Sequence, residues 1–121
     1  MQEVAIATLR CFRQHVPVSV QGIVFLSGGQ EERVATVHLN AINRLPGQKP
    51  WTITFSYGRA LQNPALEAWH GLDENLNAGQ QALHQRARCN GAASAGTYTD
   101  EMQRELVGAG NSAHRCEWYD D

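Results

Sequence analysis

Between Gln2 and Val16, apolar side chains recur at helical intervals. Val4, Ala7 and Cys11 share one face, with Ile6, Leu9 and Phe12 on its neighbour, which predicts a helix covered over much of its surface and ended by Pro17. Gly22-Ile-Val-Phe-Leu26 is then a continuous apolar run, short enough for a buried strand, and Ser27-Gly-Gly-Gln30 interrupts it. From Glu31 to Leu45 the helical period returns. Val34, Val37, Leu39, Ala41 and Ile42 make a broad stripe, Glu31 and Glu32 stand at the positive end of the helix dipole, and Pro46-Gly47 terminates the segment. Trp51 to Phe55, entered through Pro50, alternates bulky and β-branched residues and predicts a second strand. Ser56, Tyr57 and Gly58 break it, and Arg59 opens a run of good helix formers, Ala60-Leu61-Gln62. A short helical stretch, Ala65 to Trp69, is closed by Gly71. A longer helix is expected from Asp73, with Leu76, Gln80, Leu83 and Ala87 along one side, weakening between Gly91 and Gly96. Thr97 to Asp121 reads as a flexible tail with a turn of helix near Met102 to Val107 and an aromatic, acidic end, Trp118-Tyr-Asp-Asp121.

Helix, strand, helix, strand, helix is the order of an α/β fold with two βα units in tandem. Parallel neighbouring strands present their carboxyl ends on one edge, so the Ser27 and Ser56 turns are expected to converge there. Each turn combines a hydroxyl with glycine, and the second adds Arg59. A glycine between strand and helix lets backbone N–H groups approach an anion, and a guanidinium contributes charge-assisted hydrogen bonds. That is the outline of a phosphate site. The plainer reading of either turn alone is chain reversal, and of Arg59 a surface ion pair with Glu67 or another acid.

Three stretches carry a resemblance: Gly22-Ile-Val-Phe-Leu-Ser-Gly-Gly-Gln30, Leu39-Asn-Ala-Ile-Asn43 and Lys49-Pro-Trp-Thr-Ile-Thr-Phe-Ser-Tyr-Gly-Arg-Ala-Leu-Gln62. In this order, and with family-like spacing from about Val4 to about Thr99, they closely resemble class I fructose-bisphosphate aldolase. The resemblance implies the carboxyl-terminal part of a (β/α)8 TIM barrel, a fold of about 250 residues. Residues 1–99 would form the partial barrel and 100–121 a divergent, flexible tail. Residue by residue, it makes Ser27, Gly28, Gly29, Ser56, Gly58 and Arg59 the substrate phosphate-binding set. It implies a cytoplasmic lyase of glycolysis that cleaves fructose bisphosphate reversibly to dihydroxyacetone phosphate and glyceraldehyde phosphate. A lysine Schiff base supplies the electron sink, with no metal or other cofactor, and the intact enzyme is expected to be a homotetramer. The family's Schiff-base lysine lies on the strand before the first strand of this chain, and its acid–base carboxylates lie further upstream. The chain is therefore expected to be a fragment without a catalytic residue of its own. The alternative is a truncated, aldolase-like polypeptide that binds phosphate or associates with other chains without catalysis.

Composition narrows the field. At 121 residues, 42% hydrophobic and 18% charged, the chain suits one globular domain. The net charge of −2 is uninformative, but the lack of a basic run argues against a nucleic-acid partner, and no apolar stretch is long enough to cross a membrane. Glu3 and Arg10 interrupt any leader-like run, and Cys11, Cys89 and Cys116 form no disulfide framework, which fits a reducing cytoplasm. The only lysine, Lys49, enters the second strand on the face opposite to barrel chemistry, which argues against a nucleophilic role. His15, His38, His70, His84 and His114 show no metal-ligand pairing, so no metal is expected. His38 reads as a hydrogen-bonded packing residue, and Tyr57 as a ring packed beneath its turn. Tyr119 is followed by Asp120 and Asp121 in unfamiliar surroundings and is given no proton-transfer role.

Overall fold

The computed structural model describes residues 1–105; 106–121, including Tyr119 and most of the expected tail, lie outside the described residues. Helix α1 (Gln2–His15) turns Ala5 and Leu9 into the core. Its Phe12 ring lies 5.8 Å from Phe25 and meets Trp51 edge-on at 6.2 Å. The Val16 N–H donates to the Phe12 carbonyl at 2.8 Å, closing the helix before Pro17. The Pro17 carbonyl in turn accepts the Trp51 indole N–H at 2.9 Å, tying the end of α1 to the approach to the second strand.

Strands β1 (Gly22–Phe25) and β2 (Thr52–Phe55) pair in parallel, with Ile23 beside Ile53 and Phe25 beside Phe55. Ile23, Phe25 and Ile53 join the core, whereas Val24 stays exposed. The predicted strand boundaries shrink by one residue each, to Phe25 at the end of β1 and Thr52 at the start of β2. Helix α2 (Glu32–Arg44) connects the strands, as parallel pairing requires. Of its predicted stripe, Leu39 and Ile42 are buried and Val34, Val37 and Ala41 half-buried; Thr36 and Asn40 are buried as well. Those polar groups are satisfied: Thr36 Oγ1 donates to Asn90 Oδ1 at 2.6 Å, and Asn40 exchanges hydrogen bonds with the Tyr98 backbone at 3.3 and 3.1 Å.

After β2 the structure departs from the sequence expectation. The two stretches beginning at Ala60 and Ala65 form one helix, α3 (Arg59–Trp69), running through Pro64. Proline has no N–H for the carbonyl four residues back, which here is Ala60. The Arg86 Nε donates to that carbonyl at 3.2 Å, so the helix continues without an orphaned buried group. His70, in the left-handed region at φ 53°, and Gly71 end it. A 3-10 turn, Asp73–Asn75, then leads into α4 (Leu76–Ser94). The expected side of α4, Leu76, Gln80, Leu83 and Ala87, is exposed; the buried face is Gly79, Gln85, Arg86, Cys89, Asn90 and Ala93. Small residues let α4 approach α2 and α3 closely; Arg86 and the Asn90 side-chain oxygen find partners there and Gln85 bonds the Met102 carbonyl, while Asn90 Nδ2 has no partner among the described residues, so hydrophobicity alone points to the wrong side. The helix also runs through Gly91 to Ser94. Within the expected tail segment, a short helix, α5 (Asp100–Arg104), lies against α4.

Candidate functional site

Both serine-glycine turns leave the sheet at the same edge. The Ser56 N–H donates to the Phe25 carbonyl at 2.7 Å, and because Phe25 pairs with Phe55, Ser56 falls level with Leu26, one residue short of Ser27 in register. This places the candidate residues in two adjoining turns: Ser27, Gly28 and Gly29 in one, Ser56, Gly58 and Arg59 in the other.

In the first turn, the Gln30 N–H donates to the Ser27 carbonyl at 3.0 Å, and Gly28 and Gly29 have φ of 59° and 78°. Two successive positive φ values are the reason for two glycines, since a Cβ added at either would meet nothing within 4 Å and crowding is not the constraint. Ser27 is only 8% exposed, while Gly28 and Gly29 face solvent. In the second turn, Gly58 caps α3. Its carbonyl accepts the Leu61 and Gln62 N–H groups, each at 3.0 Å, so the first N–H groups of the helix stand without helical acceptors at the positive end of its dipole. Ser56, Gly58 and Arg59 are exposed. The two ion pairs among the described residues, Arg33–Asp100 and Arg88–Glu105, do not include Arg59, so the pairing with Glu67 does not form there.

Tyr57 ties the turns together from beneath. Its ring packs 5.4 Å from Phe55, and its hydroxyl donates to the Ala35 carbonyl of α2 at 2.9 Å. Burial pushes its phenol up to about 12, against a smaller opposing effect of the Arg86 charge. The sequence shows an aromatic residue between Ser56 and Gly58 but not its reach to α2. The Arg86 contacts were also missed; the four-residue spacing from Ala60 to Pro64 was the available signal, because it leaves a carbonyl needing a donor. Gln30 Nε2 lies 3.4 Å from His38 Nδ1, which gives His38 a partner on the flank of the first turn.

The arrangement brings the amino-terminal N–H groups of α3 and the exposed Ser56 and Arg59 beside the first turn, a combination of donors and fixed charge suited to an anion. A cavity of about 200 Å³ lies behind the first turn, lined by Phe25, Ser27, Gly28, Gln30, His38 and Tyr57 among others, but not by Ser56, Gly58 or Arg59. A larger cavity, about 570 Å³, lies between α1 and the end of α2, lined in part by Leu9, Arg13, Leu45 and Pro46. Lys49 donates to the Leu45 carbonyl, in the connection that enters β2, at the other end of the strand from Ser56. Among the described residues no cluster of His, Cys, Asp and Glu could hold a metal ion.

Comparison with known proteins was specific. The family profile "Fructose-bisphosphate aldolase class-I" matches residues 1–117. The chain is 59% identical over 97 residues to fructose-bisphosphate aldolase B of Sparus aurata, covering 80% of this chain and 27% of that protein. It is 50% identical over 111 residues to the cytoplasmic isozyme of Cicer arietinum, covering 92% of this chain and 31% of that protein. Among solved structures it is similar to the fructose-bisphosphate aldolase of Plasmodium falciparum, in complex with TRAP and a small-molecule inhibitor, with TM-score 0.78 and 49% identity over 81% of this chain and 28% of that one. The chain thus spans less than a third of the length of these relatives.

Proposed function

Because the chain belongs to the class I fructose-bisphosphate aldolase family, we propose that it is a carboxyl-terminal portion of such a lyase and supplies the site for one phosphate of a sugar bisphosphate. One observation carries this reading: the parallel register brings the Ser27 turn and the amino terminus of α3 to one sheet edge. Barrel enzymes commonly bind phosphate in the loops after their last two strands, beside a helix amino terminus. In this reading Ser27 and Ser56 donate from their hydroxyls, Gly28, Gly29 and Gly58 allow the backbone to approach, and Arg59 adds the fixed charge. The phosphate so held would anchor one end of the substrate while the remainder of the barrel supplies the lysine for aldol cleavage. A cytosolic place of action accords with relatives named cytoplasmic and cytosolic isozymes.

The test is an amide-resonance titration of the 121-residue chain with fructose bisphosphate. Shifts should concentrate at Ser27 to Gln30 and at Ser56 to Ala60. Arg59→Ala should weaken binding roughly ten- to hundredfold, the equivalent of one hydrogen-bonded charge. Arg59→Lys should recover only part of the loss, because an ammonium lacks the planar fork. Unchanged affinity in Arg59→Ala would sink the assignment.

A further inference from the structure

We infer that Arg86 is a positioning residue for the two turns: its guanidinium fixes the helix after the first against the helix after the second, and so sets the spacing at which Ser27 and Ser56 meet one phosphate. The last clause rests on the phosphate reading above; the bracing does not.

Arg86 is 2% exposed, and no acidic side chain pairs with it among the described residues. Burying a charge is costly, and an aliphatic side chain would fill the same space without that cost. The partners Arg86 makes are therefore informative. Nε donates to the Ala60 carbonyl at 3.2 Å, in the first turn of α3 and next to Arg59. Nη2 donates to the Glu32 carbonyl at 2.8 Å and to Thr36 Oγ1, both at the start of α2 and just beyond Gln30. Nη1 donates to Gln103 Oε1 at 2.9 Å, which holds α5 outside the same junction. One rigid planar group thus bonds the amino-terminal turns of both helices. The Ala60 carbonyl is available because Pro64 supplies no N–H to it. Tyr57 joins the second turn to Ala35 of α2, so the junction is held at two points.

Residual dipolar couplings of the α2 and α3 amides, measured on the full chain without ligand, test the brace. The unsubstituted chain should fit a single alignment frame, whereas Arg86→Lys and Arg86→Met should each require separate frames for the two helices. The lysine keeps the charge, but its compact ammonium cannot reproduce the fork of donors. A single frame retained in both variants overturns the proposal. So does loss of amide dispersion in both, which would make Arg86 a requirement of the whole fold. A double-mutant cycle of Ser27→Ala and Ser56→Ala, read by fructose bisphosphate binding, tests the consequence. The two losses should be non-additive by roughly tenfold with Arg86 present and additive in Arg86→Lys. Loosened helices with unchanged coupling would overturn the link from brace to turns. Loosened helices in a chain that binds no bisphosphate would leave the brace standing and remove the phosphate reading.

Discussion

Tyr57 is the buried member of an otherwise exposed turn, and its titration should be measurable in the stability of the chain. Its phenol is held up to about 12 by burial, against about 10 for an unfolded tyrosine. Both states are neutral below pH 10, so the contribution is intact there. Between pH 10 and 12 the unfolded chain releases the proton first, and stability falls. Burial also raises the Tyr98 phenol, so Tyr57→Phe should reduce the alkaline loss rather than abolish it. At neutral pH the same variant should cost about 1 kcal/mol for the lost bond to Ala35. Urea unfolding from pH 7 to pH 12 checks both; equal slopes in the two proteins would contradict the burial argument. The two turns were legible in the sequence because serine and glycine mark them locally, whereas the reading of Ser27, Gly28, Gly29, Ser56, Gly58 and Arg59 as one phosphate set came from the family resemblance. The bonds from Tyr57 to Ala35 and from Arg86 to Ala60, Glu32 and Thr36 were not legible, since each joins residues more than twenty positions apart.

Among the elements, α4 shows where periodicity misleads. Leu76 and Leu83 suggested a buried side, yet both are exposed, and the face packed on α2 and α3 is built from glycine, alanine, cysteine and hydrogen-bonded polar groups. Close approach, not apolar area, selects that face. Gly79 gives the sharpest case: an added Cβ would lie 2.9 Å from the Trp69 Cβ and 3.3 Å from the Ala65 carbonyl oxygen of α3. Overpacking costs about 1 to 3 kcal/mol, and the better helix propensity of alanine returns at most about 1. Because one obstacle is backbone and the other is the root of a side chain, neither can yield cheaply. Gly79→Ala should therefore destabilise the chain by about 1 to 2 kcal/mol. A denaturation midpoint at or above that of the unsubstituted chain would mean that α3 and α4 can separate freely.

At the scale of the molecule, the order of elements and the parallel pairing were legible because strand, turn and helix signals alternate in the chain. How the helices close over the sheet was not, because it depends on partners such as Asn90 for Thr36 and Tyr98 for Asn40. Lys49, bonded to the Leu45 carbonyl, should take no adduct when the chain is treated with dihydroxyacetone phosphate and borohydride, and a mass increase at Lys49 would reverse that. The sheet carries a further consequence. Among the described residues β1 pairs only with β2; the bonds to the Gln21 and Phe25 carbonyls fix the alternation along the strand, so the Gly22 and Val24 backbone groups face away from β2. Beside that edge, Val24 is 54% and Leu26 75% exposed. An unpaired edge next to exposed apolar side chains is a template for further strand pairing. The chain alone should accordingly self-associate as its concentration rises. Val24→Lys should suppress this with little change in stability, since the added charge stands in solvent and would have to be desolvated in any strand-to-strand contact. Sedimentation velocity over a range of concentrations decides: a monomer at every concentration would show that the edge is already protected, and association undiminished by Val24→Lys would place the contact elsewhere.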